Sequence, residues 1–366
     1  MKIGLITIVN GASFGNRLQN YATQTLLQNL GFEVETLNDQ FEKNSKLKIF
    51  MQHILGLGMR CCPELKRKAQ NWERGYTFHK WDSEYIRYSS VIINAANPDT
   101  YRNLADLYDC FLVGSDQIWN PRFSANKGYE LLSFAPKNKR VSLSTSIGIE
   151  DIPDEYRQLY ATEWKKFKSI SVREHSAAQL VKEITGVEAA VHIDPTLMLT
   201  RSQWNEFAKR PKGFDNKNYF LTFFLTEPSE RVKQDIHELA AKKKVQVINL
   251  DRTLKGYEFI SPNEFVSLIA NTRMVFTDSF HCTVFSLIFG KSLAVFDRFD
   301  LDRVSSRLLT LLETVQKPCF WLGKDYRYED IESNYCITGY SIEHILKEKR
   351  DEVMDYIYNN LIPYEK

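Results

Sequence analysis

Residues 3–36 read IGLITIVNGASFGNRLQNYATQTLLQNLGFEVET. The stretch begins with Ile3–Val9, a short apolar run of the kind that forms a buried β-strand. Leu18–Leu30 then repeats apolar side chains at helical spacing and is followed by Gly31, a common helix stop. A second short strand, Glu33–Thr36, comes directly after it. A strand, a helix and a strand in this order predict a parallel α/β fold.

The same alternation of short apolar runs and amphipathic segments continues along the chain. Further strands are predicted in the first half at Cys110–Val113, Val141–Thr145, Ile170–Val172 and Ala190–Ile193. Strands are predicted in the second half at Tyr219–Leu225, Val245–Leu250, Met274–Thr277 and Leu293–Phe296. Because both halves show this pattern, we expect two Rossmann-like domains that face each other across an interdomain cleft.

The domain boundaries follow from a polar stretch in the middle of the chain. Residues 209–218 contain Pro and Gly and show no periodicity, so they are the predicted linker. The N-terminal domain would then cover residues 1–208 and the C-terminal domain residues 219–341. The remaining segment, 342–366, is predicted to be a helix that could pack back on the N-terminal domain.

The composition excludes several classes of protein. Of the 366 residues, 43% are hydrophobic and 26% are charged, as in ordinary soluble globular proteins. Lys plus Arg is 48 and Asp plus Glu is 46, and the net charge of +2 argues against nucleic acid as the main partner. The first residues do not resemble a signal peptide, and the six cysteines include no Cys-x-x-Cys pair. We therefore expect a cytoplasmic protein with reduced thiols.

One segment departs from this near-neutral balance. Residues 40–80 hold nine basic and three acidic side chains, a net +6, together with an apolar series between Ile49 and Met59. A basic segment with an apolar stripe can lie on an anionic membrane surface, here as a peripheral contact at the inner membrane. A helical hairpin with a solvated basic face explains the same pattern.

The loop after the strand Cys110–Val113 carries side chains that suit a sugar. Ligands of open α/β sheets bind at the carboxyl ends of strands, and this loop lies at such an end. Amides and carboxylates bind hydroxyl groups, and the ring of Trp119 could stack on a sugar ring. Turn capping by Asp116 and Asn120 is the simpler alternative.

The turn between the first strand and the first helix is a second candidate. Gly11 and Gly15 allow a tight turn, and the start of the helix presents N–H groups to an anion. The stretch matches neither the dinucleotide-binding nor the Walker glycine pattern. An ordinary strand-to-helix turn explains its glycines equally well.

Arg173 stands at the end of a predicted strand, where a guanidinium can hold a carboxylate or a phosphate in bidentate geometry. A surface salt bridge to the neighbouring Glu174 would also explain its presence. Asp194 ends the next predicted strand and precedes Pro195, a plausible turn.

Titratable and hydroxyl side chains cluster after the buried strand Met274–Thr277. Asp278, Ser279 and His281 follow directly, and His281 would lie near a helix start. Histidine is the usual proton-transfer residue near neutral pH. The sequence contains no metal-ligand spacing, so no metal is expected.

Five blocks together carry a family resemblance: Gly15–Ala22, Gly114–Asn120, Ser171–Glu174, Asp194–Thr196 and Thr277–His281. In order and spacing they resemble the polysaccharide pyruvyl transferase family over roughly residues 1–300. The blocks Gly-Ser-Asp-Gln-x-Trp-Asn and Asp-Ser-Phe-His are the specific parts of this resemblance.

The resemblance implies a fold like that of the GT-B glycosyltransferases. It implies transfer of the carboxyvinyl unit of phosphoenolpyruvate to two hydroxyls of one hexose, which gives a cyclic pyruvate ketal and inorganic phosphate. Acceptors in the family are hexoses of capsules, exopolysaccharides, secondary cell-wall polymers or lipid-linked repeat units. Phosphoenolpyruvate is the donor substrate, and no cofactor is implied.

The resemblance also assigns roles to residues. Arg173 matches the family's donor-binding arginine, and His281 matches its cleft histidine, with Ser279 and Phe280 beside it in the donor site. We assign His281 the catalytic role, because protons must move during the reaction. An oxocarbenium-like centre at the ketal carbon needs a carboxylate, for which Asp278 or Asp194 is our hypothesis. The expected cleft and acceptor residues are Asn16, Arg17, Gln19, Gly114, Ser115, Asp116, Gln117, Trp119 and Asn120.

The chain departs from the family pattern at Ser279, because some members carry an arginine two positions before the histidine. A second cation for the donor must then come from elsewhere, and the candidates are Arg17, Arg298 and Arg303.

Two other functions share this architecture. The chain could be a glycosyltransferase that uses a nucleotide sugar, or a non-catalytic carbohydrate-binding protein. The sequence leaves open the acceptor sugar, its linkage, the ketal stereochemistry and the oligomeric state.

Overall fold

The computed structural model describes residues 1–39, 51–55, 66–123, 127–215, 218–250, 259–298 and 306–361. The chain forms two compact units. The first combines Met1–Met198 with Glu348–Lys366, and the second is Leu199–Lys347.

The first unit is built on parallel strands. They are β1 (Lys2–Ile6), β2 (Glu33–Asp39), β3 (Tyr88–Ile93), β4 (Cys110–Val113), β5 (Arg140–Ser142), β6 (Ser171–Val172) and β7 (Ala190–Val191). Five of them form a sheet in the order β3-β2-β1-β4-β5, and β6 pairs in parallel with β7. Isolated bridges from Val141 to Ser169 and from Thr145 to Val172 link β6 to the end of this sheet.

The helices of the first unit connect these strands. They are α1 (Phe14–Asn29), α2 (Lys66–Tyr85), α3 (Lys127–Glu130), α4 (Asp154–Trp164) and α5 (His175–Thr185). The last four residues of β1 and all four residues of β4 are buried. Burial on successive strand positions is typical of a parallel sheet covered on both faces, and it explains why these strands read as continuous apolar runs.

The second unit repeats this plan. Its strands are β8 (Tyr219–Phe223), β9 (Gln246–Asn249), β10 (Met274–Thr277), β11 (Ser292–Phe296) and β12 (Trp321–Gly323). They form a parallel sheet in the order β12-β11-β10-β8-β9. Its helices are α6 (Arg201–Phe207), α7 (Glu230–Lys243), α8 (Pro262–Asn271), α9 (Phe280–Ile288), α10 (Ser306–Thr314) and α11 (Tyr328–Cys336).

Each sheet has a point where the chain reverses the direction in which it adds strands. In the first unit this point lies between β1 and β4, and in the second it lies between β8 and β10. Loops that leave the carboxyl ends of two such strands diverge, which opens a crevice above the sheet. We therefore expect ligand-binding residues in the segments after β1 and β4, and in those after β8 and β10.

The division between the units differs from the predicted linker. The units divide after Met198, and residues 209–218 belong to the second unit. The reason is apolar packing, since the Trp204 ring lies edge-on to Phe285 at 4.8 Å and the Phe214 ring lies edge-on to Tyr219 at 5.3 Å. The polar composition of the stretch gave no sign that Phe214 is buried.

The last helix, α12 (Glu343–Leu361), spans the division, and the chain re-enters the first unit at Glu348. The Tyr356 hydroxyl donates to the Ser142 carbonyl at 2.9 Å and lies 2.9 Å from the Ser169 hydroxyl. The Arg350 Nε donates to the Leu197 carbonyl at 2.8 Å. The C-terminal part of this helix therefore belongs to the core of the first unit.

Only 51–55 and 66–80 of the basic segment 40–80 fall among the described residues. Met51, Ile54 and Leu55 each expose more than half of their surface. Within the described ranges, the structure contains no helix that is long and apolar enough to span a bilayer.

Candidate functional site

Arg173 is the centre of a buried polar cluster in the first unit. It follows β6, and its Nη1 donates to Asp194 Oδ2 at 2.6 Å and to Ser115 Oγ at 3.2 Å. Ser115 Oγ in turn donates to the same Asp194 oxygen at 2.7 Å. The structure thus brings together three residues that the sequence placed at three separate strand ends.

The second carboxylate oxygen of Asp194 also accepts two hydrogen bonds. Its Oδ1 accepts from the backbone N–H of Thr196 at 2.9 Å and from the Thr196 hydroxyl at 2.6 Å. The Asp194 side chain is completely buried. Burial lowers the pKa of Arg173, but the attraction of Asp194, Asp116 and Glu174 outweighs this, so its pKa is raised and it stays charged.

Asp116 lies in the left-handed region of backbone conformation, with a φ of 72°. Asp tolerates this conformation better than most residues, because its side chain bonds to nearby backbone groups. Here Oδ1 accepts from the N–H of Gln117 at 2.9 Å and lies 3.7 Å from the Arg173 Nη2. The tight turn after β4 holds a second carboxylate beside Arg173.

Glu174 is a functional candidate that sequence reasoning missed. Its side chain is buried, and Oε1 accepts from the Ser146 hydroxyl at 2.9 Å, from Ile147 N–H at 2.9 Å and from Gly148 N–H at 3.0 Å. The proposed surface salt bridge to Arg173 is therefore wrong, since this carboxylate holds the turn 146–148. The Ser-Ile-Gly sequence after a predicted strand was the available signal.

Gln117 packs directly over Gly148. A Cβ atom on Gly148 would lie 2.1 Å from Gln117 Oε1, and Gly148 has a φ of 67°. The same Gln117 oxygen accepts from Asn120 Nδ2 at 2.9 Å. Gln117 also lines a pocket at the carboxyl end of β1, together with Thr7, Phe123 and other residues of the first unit.

Trp119 cannot stack on a sugar as predicted. Its side chain is fully buried, and its ring packs against Trp164 at 5.6 Å and edge-on against Phe167 at 5.4 Å. Its Nε1 donates to the Glu130 carbonyl at 3.2 Å. This tryptophan is a core residue that anchors the loop after β4.

The candidates on α1 serve mainly to fix its first turn. Gln19 is buried, and its Nε2 donates to the Thr7 hydroxyl at 2.6 Å and to the Asn16 carbonyl at 2.9 Å. Arg17 forms a buried bidentate pair with Asp82 of α2, at 2.9 and 3.0 Å. The prediction of Arg17 as a donor-binding cation conflicts with this pairing, because its charge is already balanced. Asn16 is half-buried at the start of the helix.

In the second unit, Asp278 directly follows β10 and binds the loop that follows β8, so it links the two strands on either side of the reversal point. Its Oδ1 accepts from Leu225 N–H at 2.6 Å, and its Oδ2 accepts from Thr226 N–H at 3.1 Å and from the Thr226 hydroxyl at 2.8 Å. Burial raises the pKa of Asp278, although these donors and the charge of Arg298 lower it. The carboxylate fixes the loop after β8 to the end of β10.

Ser279, Phe280 and His281 form the start of α9. Ser279 is the N-cap, and its Oγ accepts from Cys282 N–H at 3.5 Å. His281 lies in the first helical turn and is buried. The first turn of a helix carries a partial positive charge and favours anions. This end of α9 therefore suits a negatively charged ligand beside a histidine.

Arg298 follows β11 and is half-buried. Its charge acts on Asp278, which places it within electrostatic range of the same end of the sheet. Arg303, the other predicted cation, lies outside the described residues. Among the residues that the structure describes, no group of three or more His, Cys, Asp or Glu side chains is arranged to hold a metal ion.

Two solved structures resemble this fold over the whole chain. A UDP-GlcNAc 2-epimerase from Methanocaldococcus jannaschii is 12% identical with a TM-score of 0.54, over 98% of this chain and 100% of that one. A candidate UDP-N-acetylglucosamine 2-epimerase from Listeria monocytogenes is 11% identical with a TM-score of 0.56, over 99% and 96%. The predicted fold class, α/β with two Rossmann-like domains of the GT-B kind, is confirmed.

Sequence comparison identifies the family. No curated protein gives a significant match. Residues 14–298 match the family model described as polysaccharide pyruvyl transferase, and this range contains the Arg173 cluster and the start of α9. The chain belongs to the polysaccharide pyruvyl transferase family, a family of enzymes.

Proposed function

We propose that the protein transfers pyruvate from phosphoenolpyruvate to two hydroxyls of a hexose, forms a cyclic ketal and releases phosphate. The observation that carries this proposal is the position of His281 in the first turn of α9, at the reversal point of the second sheet. The segment lies inside the range that matches the family.

The donor carries a phosphate and a carboxylate, so it needs positive potential. The start of α9 supplies backbone N–H groups and the positive end of a helix dipole. Arg298 is our choice for the cation, since its charge acts on Asp278 beside α9 whereas Arg17 is paired with Asp82. Arg173, which the family resemblance implies as the donor-binding arginine, is likewise buried and paired with Asp194, so we assign it to holding Ser115 and Asp194 in place.

The reaction balances as follows. The methylene carbon of phosphoenolpyruvate gains a proton and becomes a methyl group, and the adjacent carbon becomes electrophilic. One sugar hydroxyl adds to this carbon and loses its proton, the C–O bond to phosphate breaks, and a second hydroxyl adds and loses its proton. His281 is proposed to move protons in these steps, because imidazole can both donate and accept near neutral pH.

Asp194 and Asp278 are assigned a positioning role. Both carboxylates are buried and accept three or four hydrogen bonds from protein groups. The oxygens of both carboxylates are already occupied by protein donors, so neither group is a good candidate for direct contact with a transient cation. Asp194 orients Arg173, and Asp278 orients the loop beside α9.

The acceptor is proposed to be a hexose of a surface polysaccharide, such as a capsule or an exopolysaccharide, or of its lipid-linked repeat unit. A lipid-linked acceptor would bring this enzyme to the cytoplasmic face of the inner membrane. The basic segment 40–80 would then be the membrane contact.

The test is phosphate release from phosphoenolpyruvate in the presence of a panel of p-nitrophenyl hexopyranosides, with mass spectrometry of the sugars. We expect release that depends on one sugar, which gains a carboxyethylidene group. His281→Ala should lower the rate by roughly 10²–10⁴-fold, the usual contribution of a general acid–base group. The matched control is His237→Ala, on the exposed face of α7, which should keep the full rate.

Two results would contradict the proposal. Equal rates for the His281 and His237 variants would remove His281 from the chemistry. Thermal stabilisation by uridine diphosphate, with none by phosphoenolpyruvate, would favour a nucleotide-sugar glycosyltransferase.

A further inference from the structure

Four carboxylates lie at or just after the strand ends of the candidate site, and they differ in how their oxygens are occupied. Asp194 and Asp278 accept hydrogen bonds from protein groups on both oxygens. Glu174 accepts three hydrogen bonds on Oε1, and its Oε2 has no partner among the described residues but is fully buried. A substrate hydroxyl therefore finds no accessible oxygen on these three side chains.

Asp116, the fourth carboxylate, has one oxygen that is both unoccupied and accessible. Its Oδ1 accepts from the N–H of Gln117 at 2.9 Å, whereas no described residue donates a hydrogen bond to its Oδ2. That oxygen retains contact with solvent, since the Asp116 side chain is 11% exposed, against 0% for Asp194. The Oδ2 of Asp116 can therefore accept a hydrogen bond from a ligand.

The backbone fixes the direction of the Asp116 side chain. Its φ of 72° lies in the left-handed region, and its carbonyl accepts from the N–H groups of Ile118 at 2.8 Å and Ser146 at 2.9 Å. A non-glycine residue in this region is strained, and such strain persists only where the surrounding structure holds it, most often at functional sites. The turn follows β4, at the reversal point of the first sheet, where ligands of such sheets bind.

Arg173 places a positive charge beside this carboxylate. Its Nη2 lies 3.7 Å from Asp116 Oδ1, beyond hydrogen-bonding distance, and its Nη1 is bonded to Asp194 and Ser115. The guanidinium therefore acts on Asp116 through charge attraction rather than a hydrogen bond, and it leaves Oδ2 unoccupied. A fixed carboxylate with one accessible oxygen can take a proton from a hydroxyl group, which is a common role of Asp in catalysis.

We propose that Asp116 is the catalytic base that takes the proton of the acceptor hydroxyl as this hydroxyl attacks the donor. This role rests on the proposed function and adds the missing proton acceptor to it. The O–H bond breaks as the hydroxyl oxygen bonds to the electrophilic carbon, and the proton passes to Asp116 Oδ2. The two hydroxyls lose two protons in all, of which one ends on the new methyl group and the other on the released phosphate. His281 keeps the delivery of the proton to the methylene carbon, and Asp116 ends the cycle as a carboxylate.

The first test is Asp116→Asn, assayed by phosphate release with the p-nitrophenyl hexopyranoside that wild type accepts. Asn tolerates a positive φ, and its amide oxygen still accepts from the N–H of Gln117, so the variant keeps the turn and loses the base. We expect kcat to fall roughly 10²–10⁴-fold, with a KM for the sugar close to that of wild type. The matched control is Asp151→Asn, at an exposed carboxylate of the first unit, which should keep the full rate.

A second variant, Asp116→Gly, distinguishes a base from a structural carboxylate. Glycine adopts a φ of 72° without strain and leaves a space where the carboxylate was. Added formate should enter this space, accept the proton and restore part of the rate, whereas chloride at the same concentration should not. Asp116→Asn should not respond to formate, because the amide fills the space.

The outcomes separate this inference from the proposed function. If wild type releases phosphate and Asp116→Asn keeps its kcat, or changes only the KM for the sugar, the catalytic role of Asp116 is overturned and pyruvyl transfer stands. Loss of rate in both variants without recovery in formate would leave Asp116 a structural role and would also overturn the inference. If wild type releases no phosphate with any sugar of the panel, the proposed function fails and the role of Asp116 fails with it.

Discussion

Arg173 and Asp194 form an ion pair without access to water, and the cost of breaking it is correspondingly high. A buried charge that loses its partner cannot be solvated, so removal of one member typically costs about 3–5 kcal/mol. Asp116, whose carboxylate oxygen lies 3.7 Å from Arg173, is beyond hydrogen-bonding distance and would not replace Asp194.

We therefore predict that Asp194→Ala lowers the free energy of unfolding of the first unit by about 3–5 kcal/mol, measured by urea denaturation. The matched control is Asp151→Ala, which breaks the exposed pair with Arg157 and should cost less than about 1 kcal/mol. Equal losses for the two variants would mean that burial does not govern the strength of these pairs.

His192 makes the stability of the first unit depend on pH. It is half-buried, and its Nδ1 lies 2.8 Å from the Ser171 hydroxyl. Burial lowers the pKa of His192, and Lys349 of α12 lowers it further while Glu352 raises it. The unfolded chain, whose histidine has a pKa of about 6.5, then binds the proton more readily than the folded chain.

Because the unfolded state binds more protons, stability rises with pH across this window and falls as the pH drops below about 6.5. We predict that His192→Gln loses less thermal stability between pH 7.5 and pH 5.5 than wild type does, by calorimetry. His237→Gln, at an exposed position, should behave as wild type. If the His192 variant lost as much thermal stability between pH 7.5 and pH 5.5 as wild type does, other titratable groups would be responsible for the acid sensitivity.

Single residues also show where sequence reasoning reached its limit. The positions of Ser115, Arg173, Asp194 and His281 at strand ends or helix starts followed from local pattern, because a strand end is a local property. The burial of Trp119 and the pairing of Arg17 with Asp82 depend on α3, α4 and α2, which pack from elsewhere in the chain. The exposed aromatic in this loop is Phe123, and its sequence setting gave no sign of that.

At the scale of elements, the turn 146–148 links Glu174 to Gln117. Glu174 accepts hydrogen bonds from the turn, and Gln117 packs against its last residue. That residue, Gly148, combines a positive φ with a close contact, and both properties require glycine. Gly186, the C-cap of α5, has a similar φ of 74°, but a Cβ there would meet nothing within 4 Å. Substitution of Gly186 therefore tests backbone strain alone, and substitution of Gly148 tests backbone strain together with a steric clash.

We predict that Gly186→Ala lowers stability by about 1–2 kcal/mol, the cost of a left-handed alanine. Gly148→Ala should cost more, because Gln117 must also move. The measurement is chemical denaturation of the two variants beside wild type. Equal losses for the two variants would show that the contact between Gly148 and Gln117 adds no cost of its own.

Strand prediction succeeded where burial was complete. β4 and β10 have the predicted bounds, because each consists of four successive buried residues, all of them apolar except Thr277. β3 was missed because it follows the basic segment and alternates between buried and exposed positions. β12 has three residues, too few for a periodic signal. Both are edge strands, and they form because they pair with the neighbouring strand of the sheet rather than because of a strong local preference.

At the scale of the whole molecule, α12 makes the first unit discontinuous in sequence. Leu346 lies before the point of re-entry, and Val353, Ile357 and Leu361 lie after it, all of them buried. The hydrogen bonds of Tyr356 connect the helix to β5 and to the segment before β6, next to the Arg173 cluster. The stability of that half of the site should therefore depend on a segment that lies more than 150 residues away in sequence.

We predict that Ile357→Ala lowers the stability of the first unit by about 2–5 kcal/mol, the usual cost of removing a buried isoleucine side chain. Hydrogen exchange measured by mass spectrometry should become faster in β5 and β6, because local opening of a unit follows its own stability. Exchange in β10 and β11 of the second unit should stay unchanged. Tyr358→Ala, one position further on the exposed face, is the control and should alter neither unit. Faster exchange in both units of the Ile357 variant would mean that the chain unfolds as a single cooperative body, and that the division at Met198 has no energetic counterpart.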